Sequence, residues 1–212
     1  MSALLSYSDA ELLGLAQTIY DMPSLAAWRA AELKALRQCT FAPPVLEIGC
    51  GNGCFASLLL ERVEWGIDLN PREVALCARR NGLYGHLSCM DARSLKFPDR
   101  TFATVFANCV IEYIPDLGRV LAECRRVLLP GGVLIATVPL IEMNRHLLLS
   151  VVWYARVRAA QLRHRHLLSE DAWVATLSKA GFTNVRTTPY LSAGRVNSGI
   201  AWMAPSRWAR VR

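Results

Sequence analysis

Five residues carry the clearest chemistry in this chain: Glu47, Gly49, Gly51, Gly53 and Asp68. A short apolar run, Val45 to Ile48, ends in glycines at alternate positions, and Phe55, Ala56 and Leu58 to Leu60 follow at helical density. The pattern predicts a strand, a tight glycine turn and a helix running to about Arg62. Glycine is needed where φ turns positive and where a ligand lies against bare backbone. The helix adds unpaired N–H groups and the positive end of its dipole. Such a loop holds the polar part of a nucleotide-like ligand. Asp68 follows Gly53 by 15 residues. In a βαβ unit that spacing puts a carboxylate at the tip of the adjacent strand, where it can accept both hydroxyls of a ribose.

Two details separate this loop from a dinucleotide site. The glycines follow G-x-G-x-G, and position 54 is Cys where G-x-G-x-x-G requires glycine. Glu47 stands two residues before the first glycine, where a carboxylate suits a ligand with an ammonium group and repels a pyrophosphate. Glu47-x-Gly49-x-Gly51-x-Gly53 resembles the first motif of class I S-adenosylmethionine-dependent methyltransferases, in their small-molecule, type 11-like branch. The resemblance covers residues 41–140 and, more loosely, 164–188.

The resemblance implies an α/β, Rossmann-like, doubly wound seven-stranded sheet with helices on both faces. It implies S-adenosylmethionine as cofactor and S-adenosylhomocysteine as product. Carried over residue by residue, Glu47, Gly49, Cys50, Gly51 and Gly53 form the cofactor loop. Asp68 is the ribose acid and Leu69 flanks the adenine. Asp91 faces the adenine amino group, and the backbone of Ala92 reads the ring edge. Asn108 ends the fourth strand, at the carboxyl end of the sheet, and so faces the cofactor cleft. Cys109 to Ile114 resembles the family's Leu-Glu-His segment, with Tyr113 in place of His. Glu112 is there a base, a hydrogen-bond acceptor or a helix cap, and Tyr113 is the second catalytic candidate. Arg126 to Gly132 matches a further hallmark, whose role is to reverse the chain between helix and strand.

The flanking elements must position these groups. Residues 1–44 read as an N-terminal helical cap. Ser8-Asp9-Ala10-Glu11 has the form of a capping box, and Pro23 opens a second helix, Ser24 to Arg37. In relatives such helices lie over the cofactor, so Tyr20, Trp28 and Arg29 either close the pocket or pack the helices together. Residues 45–212 form the cofactor-binding domain, with a helical insertion at about 140–168 over the acceptor site. Arg145 and His146 are acceptor-pocket candidates there. Arg145, Arg156 and Arg163 share one helical face beside an apolar run, Leu147 to Ala155. That suits an acceptor with an apolar body and an anionic group, or a membrane surface. His164 and His166 give no metal site.

The net charge of +7 is uneven: residues 1–140 hold 13 Lys/Arg and 14 Asp/Glu, and residues 141–212 hold 11 and 3. The basic last third is an anion-attracting patch or a solvated surface. Seven scattered cysteines without C-x-x-C point to a reducing cytoplasm and against zinc. No apolar run reaches the roughly 20 residues of a spanning helix. The expected location is therefore the cytoplasm, with peripheral membrane contact through 140–168 and the basic C-terminus.

The sequence thus points to methyl transfer onto a small-molecule or lipid-linked acceptor, at oxygen or carbon. Nucleic acid is not expected, because Asn108-Cys109-Val110-Ile111 replaces the Asp/Asn-Pro-Pro-aromatic segment that holds a flipped base. An NAD(P)-dependent oxidoreductase and a non-catalytic S-adenosylmethionine-binding partner subunit are the alternatives.

Overall fold

The computed structural model describes residues 4–21, 23–79, 82–141 and 165–190, and the backbone of 198–205. Arg145, His146, Arg156, Arg163, His164 and the tail beyond 205 lie outside the described residues, as does most of the insertion.

Two N-terminal helices come first, α1 (Asp9–Ile19) and α2 (Pro23–Leu36). Ser8 caps α1 reciprocally: its Oγ accepts from the Glu11 N–H at 3.3 Å, and its own N–H donates to Glu11 Oε2 at 2.7 Å. The remaining elements are β1 (Val45–Ile48), β2 (Val63–Asp68), α3 (Pro71–Cys77), β3 (Tyr84–Cys89), β4 (Phe102–Asn108), α4 (Leu117–Val127), β5 (Leu128–Pro139), α5 (Glu170–Lys179), β6 (Phe182–Pro189) and β7 (Ser198–Pro205). Asn70 caps α3 ahead of Pro71, and Ser169 caps α5.

Five strands run parallel in the order β3-β2-β1-β4-β5. β7 pairs antiparallel with β5, and β6 antiparallel with β7. The hallmark turn at Gly131-Gly132 is a bulge inside β5: Leu128 faces Phe102, and Val133 already faces Thr104. Gly131 takes φ +79°, and a Cβ on Gly132 would lie 3.0 Å from the Ala103 carbonyl.

Period-two burial shows why the inner strands are apolar on both faces. Leu46, Ile48, Val105, Ala107, Leu134 and Ala136 point to a core shared with Val120, Leu121 and Cys124 of α4 and Trp173 and Leu177 of α5. Val45, Phe106 and Ile135 point to the opposite core, which holds Leu12 of α1 and Leu33 and Leu36 of α2. Phe106 meets Phe41 edge-on, with centroids 5.3 Å apart. Each such buried side chain contributes about 1.5–3 kcal/mol.

The helix expected after the glycine loop is a correction. The structure has a single 3-10 turn, Ala56–Leu58, because Phe55, Ala56, Leu58, Leu59 and Leu60 are all buried in the α1–α2 core and leave no solvated helix face. The long-helix dipole does not operate here. Among the described residues, no helix is long and apolar enough to cross a membrane.

Candidate functional site

The carboxyl ends of the parallel strands open onto a cleft of about 250 Å³. Gly49, Asp68, Leu69, Asp91, Ala92 and Tyr113 line it, so six residues singled out in the sequence converge there. Met90, Arg93, Val110 and Ile114 join them without having been anticipated.

The loop is built by backbone. Gly49, Gly51 and Gly53 take φ of +71°, +50° and +76°, values that side chains rarely adopt. The N–H groups of Gly49 and Cys50 donate to the Ile67 carbonyl at 2.8 and 3.0 Å, which binds the loop to β2. The Gly51 N–H donates to Asp68 Oδ2 at 3.0 Å, and Asp68 Oδ1 accepts from the Asn70 N–H at 2.8 Å. The loop and the acid, 17 residues apart, are thus one hydrogen-bonded unit. A Cβ on Gly49 would lie 2.5 Å from Val110 Cγ2, whereas one on Gly51 would meet only Glu73 Oε2 at 4.0 Å. The face above Gly51 is open to a ligand. Leu69, 67% exposed, supplies an apolar platform at the cleft edge.

Asp91 sits at the cleft with its carboxylate engaged by Arg93, at 3.0 Å from Nε and 2.7 Å from Nη2. Those bonds hold the Asp91 carboxyl below its usual range. Arg93 was legible only as the second residue after the acid, a spacing with no motif attached.

Of the loop-side candidates, Gly51, Gly53, Glu47, Cys50 and Asn108 are not part of the lining. Glu47 is buried, 2% exposed, and accepts the Tyr84 hydroxyl at 2.7 Å. Burial pushes its carboxyl up to about 8, against the pull of the Tyr84 bond, so it is largely protonated at pH 7. The expected free carboxylate for an ammonium group is therefore a neutral acid held by a neighbouring strand. The Tyr84 ring crosses Gly66 of β2 to reach it, and a Cβ on Gly66 would be 2.7 Å from that ring. The Cys50 thiol is buried beside Cys77, and its hydrogen bond to Cys77 together with burial raises its pKa. Asn108 accepts the Thr137 hydroxyl at 2.5 Å.

Behind the cleft wall lies a buried polar cluster. Arg29 Nη1 donates to Glu32 Oε2 at 2.6 Å, and the Arg29 guanidinium lies over the rings of Tyr20 and Phe55, at 5.9 and 5.4 Å. The Trp28 indole donates to the Tyr190 hydroxyl at 3.1 Å, which donates to Glu32 Oε1 at 3.2 Å. The Cys109 thiol donates to the same oxygen at 3.4 Å. Tyr20, Trp28 and Arg29 are thus brought together, around a buried acid that sequence reading passed over as a helix-surface residue. Glu112, in the 3-10 turn Ile111–Tyr113, is fully buried. Among the described residues no other residue donates to either of its carboxylate oxygens, and burial pushes it up to about 8 against the pull of its own backbone N–H. Burial pushes the neighbouring Tyr113 to about 12.

The cleft fits the adenosyl half of S-adenosylmethionine: an acid at a strand tip, an open glycine backbone and an apolar edge. A three-glycine loop after β1, tied to an acid at the end of β2 in a parallel sheet, is the arrangement that the resemblance to class I methyltransferases implies. Residues 46–136, a little under half of the chain, match a family model described as a methyltransferase domain.

A Mycobacterium ulcerans phthiotriol/phenolphthiotriol dimycocerosates methyltransferase is 40% identical over 98 residues, 44% of this chain and 36% of that protein. A Cereibacter sphaeroides phosphatidylethanolamine N-methyltransferase is 38% identical over 94 residues, 42% of this chain and 46% of that protein. The chain therefore spans less than half the length of these relatives. The crystal structure of a Thermotoga maritima SAM-dependent methyltransferase superposes with a TM-score of 0.66 at 20% identity, covering 84% of this chain and 89% of that one. That likeness is one of fold.

Proposed function

We propose that this chain transfers a methyl group from S-adenosylmethionine to a small-molecule or lipid-linked acceptor. The observation that supports the reading is the glycine loop tied to Asp68 through the Gly51 N–H, with Gly49 and Asp68 lining one cleft. The cofactor, when bound, supplies a methyl group already activated by a sulfonium. The protein's task is then to orient the acceptor and exclude water.

In this proposal Asp68 holds the ribose hydroxyls, and Leu69, Ala92 and Asp91 hold the adenine, with Arg93 fixing the Asp91 carboxylate. Gly49, Cys50, Gly51 and Gly53 lay backbone against the remainder, with Glu47 and Asn108 behind them. Glu112 and Tyr113 stand at the acceptor end. Residues 1–44 serve as a helical cap over a domain spanning 45–212, and β6 and β7 complete a doubly wound, seven-stranded sheet. Relatives named for lipid substrates support a lipid-linked acceptor, and the basic last third supports peripheral membrane contact rather than nucleic-acid binding. A cytoplasmic location is part of the same proposal.

Calorimetry with S-adenosylhomocysteine on the wild type and on Asp68→Ala tests this reading. The wild type binds, and the mutant loses about tenfold or more, the cost of removing a charged hydrogen-bond acceptor. Equal affinity in the two proteins removes Asp68 from the site. Binding of NADH in place of S-adenosylhomocysteine overturns the reading.

A further inference from the structure

Behind the cofactor cleft, three atoms of one buried cluster have no hydrogen-bond partner from another of the described residues: both Glu112 carboxylate oxygens and Arg29 Nε. Glu32 and Glu112 are both 0% exposed, one on α2 and the other in the turn after β4. Glu32 is saturated by Arg29, the Cys109 thiol and the Tyr190 hydroxyl. Glu112 has two oxygens and, among the described residues, no donor to either except its own backbone N–H, which lowers its pKa a little. The two acids face one cluster: besides burial, the Glu32 charge pushes the Glu112 carboxyl up, and Arg29 pulls it down. Val110 and Tyr113, which flank Glu112, line the cleft, and the fully buried acid stands behind that wall.

We propose that Glu112, backed by Glu32, receives an amine head group, so that the acceptor at this site is a primary or secondary alkyl amine: the bound ammonium would pass one proton back to Glu112, and the nitrogen lone pair so freed would form the N–C bond as the methyl–sulfur bond breaks, with S-adenosylhomocysteine as leaving group. The inference rests on the methyl-transfer reading and narrows it. A buried carboxylate without donors costs about 1–3 kcal/mol or more, which a ligand with N–H groups offsets. Three head groups can be compared. A carboxylate meets two acids and one uncommitted donor, Arg29 Nε, whose charge is already paired with Glu32, and is repelled. A hydroxyl brings one hydrogen for two oxygens. An amine brings two or three hydrogens and, when protonated, the complementary charge.

The inference fixes a pH course. The groups facing Glu112 are Glu32 and Arg29 from α2, and Cys109 and Tyr113 on either side of it in the chain. Burial raises the Cys109 thiol and the Tyr113 hydroxyl, which keeps both neutral at neutral pH. An ammonium pairs with ionised Glu112, so binding below about pH 8 expels the Glu112 proton into solvent, and affinity rises as pH rises toward that value.

Octylamine, octanol and octanoate share one tail and differ in the head group. Titration calorimetry of each is run between about pH 6 and 8, with and without saturating S-adenosylhomocysteine, in buffers of different ionisation enthalpy so that proton release is read directly. The expected result is octylamine binding at least about tenfold more tightly than either analogue, as a buried charge pair predicts, with a proton released. Glu112→Gln removes that preference and the proton release, and Glu112→Asp restores part of both. Octanol or octanoate binding as tightly as octylamine overturns the inference, as does an undiminished preference in Glu112→Gln. Should the Gln variant fail to fold, the wild-type ranking and its pH course decide alone. Absent S-adenosylhomocysteine binding sinks the methyl-transfer reading instead, and the titrations without it still rank the head groups.

Discussion

The cofactor side and the proposed acceptor side of this molecule are built on different principles. On the cofactor side the partners are close in sequence: Gly51 with Asp68 at a separation of 17, Asp68 with Asn70 and Asp91 with Arg93 at 2. The first two contacts are backbone to side chain, the third is an ion pair between neighbours in the chain, and all stand at a cleft edge. On the acceptor side Trp28 meets Tyr190 at a separation of 162, Glu32 meets Tyr190 at 158 and Cys109 meets Glu32 at 77. Those contacts are side chain to side chain, gathered round two fully buried acids. A site that grips one constant ligand can be written into a single βαβ unit. A site that varies with its ligand is assembled where distant elements meet, and it keeps polar capacity in reserve.

Mutations can break that comparison. Gly49→Ala places a Cβ 2.5 Å from Val110 Cγ2 at φ +71°, so S-adenosylhomocysteine affinity falls by about a hundredfold, an overpacking and strain cost of roughly 2–4 kcal/mol. Gly51→Ala meets open space and carries only the positive-φ penalty of about 1–2 kcal/mol, so it binds visibly better than Gly49→Ala. Equal losses would mean that the loop is not wedged against the acceptor wall.

Acidity gives the next effect. Glu47 and Glu112, one on each side, are both raised from 4.5 to about 8 by burial. Each stays protonated in the fold while it ionises in the unfolded chain. Their contribution to stability is full below about pH 4.5 and is lost as pH rises through 8. Chemical denaturation across that range should show stability falling with pH, less steeply in Glu47→Gln and in Glu112→Gln. A flat profile in the wild type contradicts the buried-acid account.

Trp28→Phe removes the indole donor to Tyr190 and should cost about 1 kcal/mol of stability while leaving S-adenosylhomocysteine affinity unchanged. Arg93→Ala, at a side chain 40% exposed, should do the reverse: a loss of cofactor affinity of a few-fold at most, with stability unmoved. Crossed effects in this last pair would merge the two sides into one.

Legibility in the sequence followed the same division. The glycine spacing, the acid 15 residues on and the caps at Ser8, Asn70 and Ser169 are local signals, and the structure has the loop, strand tip and helix starts they imply. The helix expected after the loop failed because apolar density there reflects burial on all sides, which periodicity cannot distinguish from helical amphipathicity. Glu47 was legible as a motif letter and not as a partner of Tyr84, since strand register decides which side chains meet across a sheet. Glu32 was invisible for a similar reason: in a helix of ordinary composition, nothing marks the charged residue that will face inward.

Gly66 bears on how this chain can change over generations. The Tyr84 ring passes over it to reach Glu47, so the three positions interlock. Any side chain at 66 evicts the ring, strands a buried acid and selects against that acid as well. Positions 47, 66 and 84 should therefore drift together across descendants, with homologues that carry alanine or larger at 66 having abandoned the tyrosine, the acid or both. Three letters scattered over 37 residues amount to one inherited character.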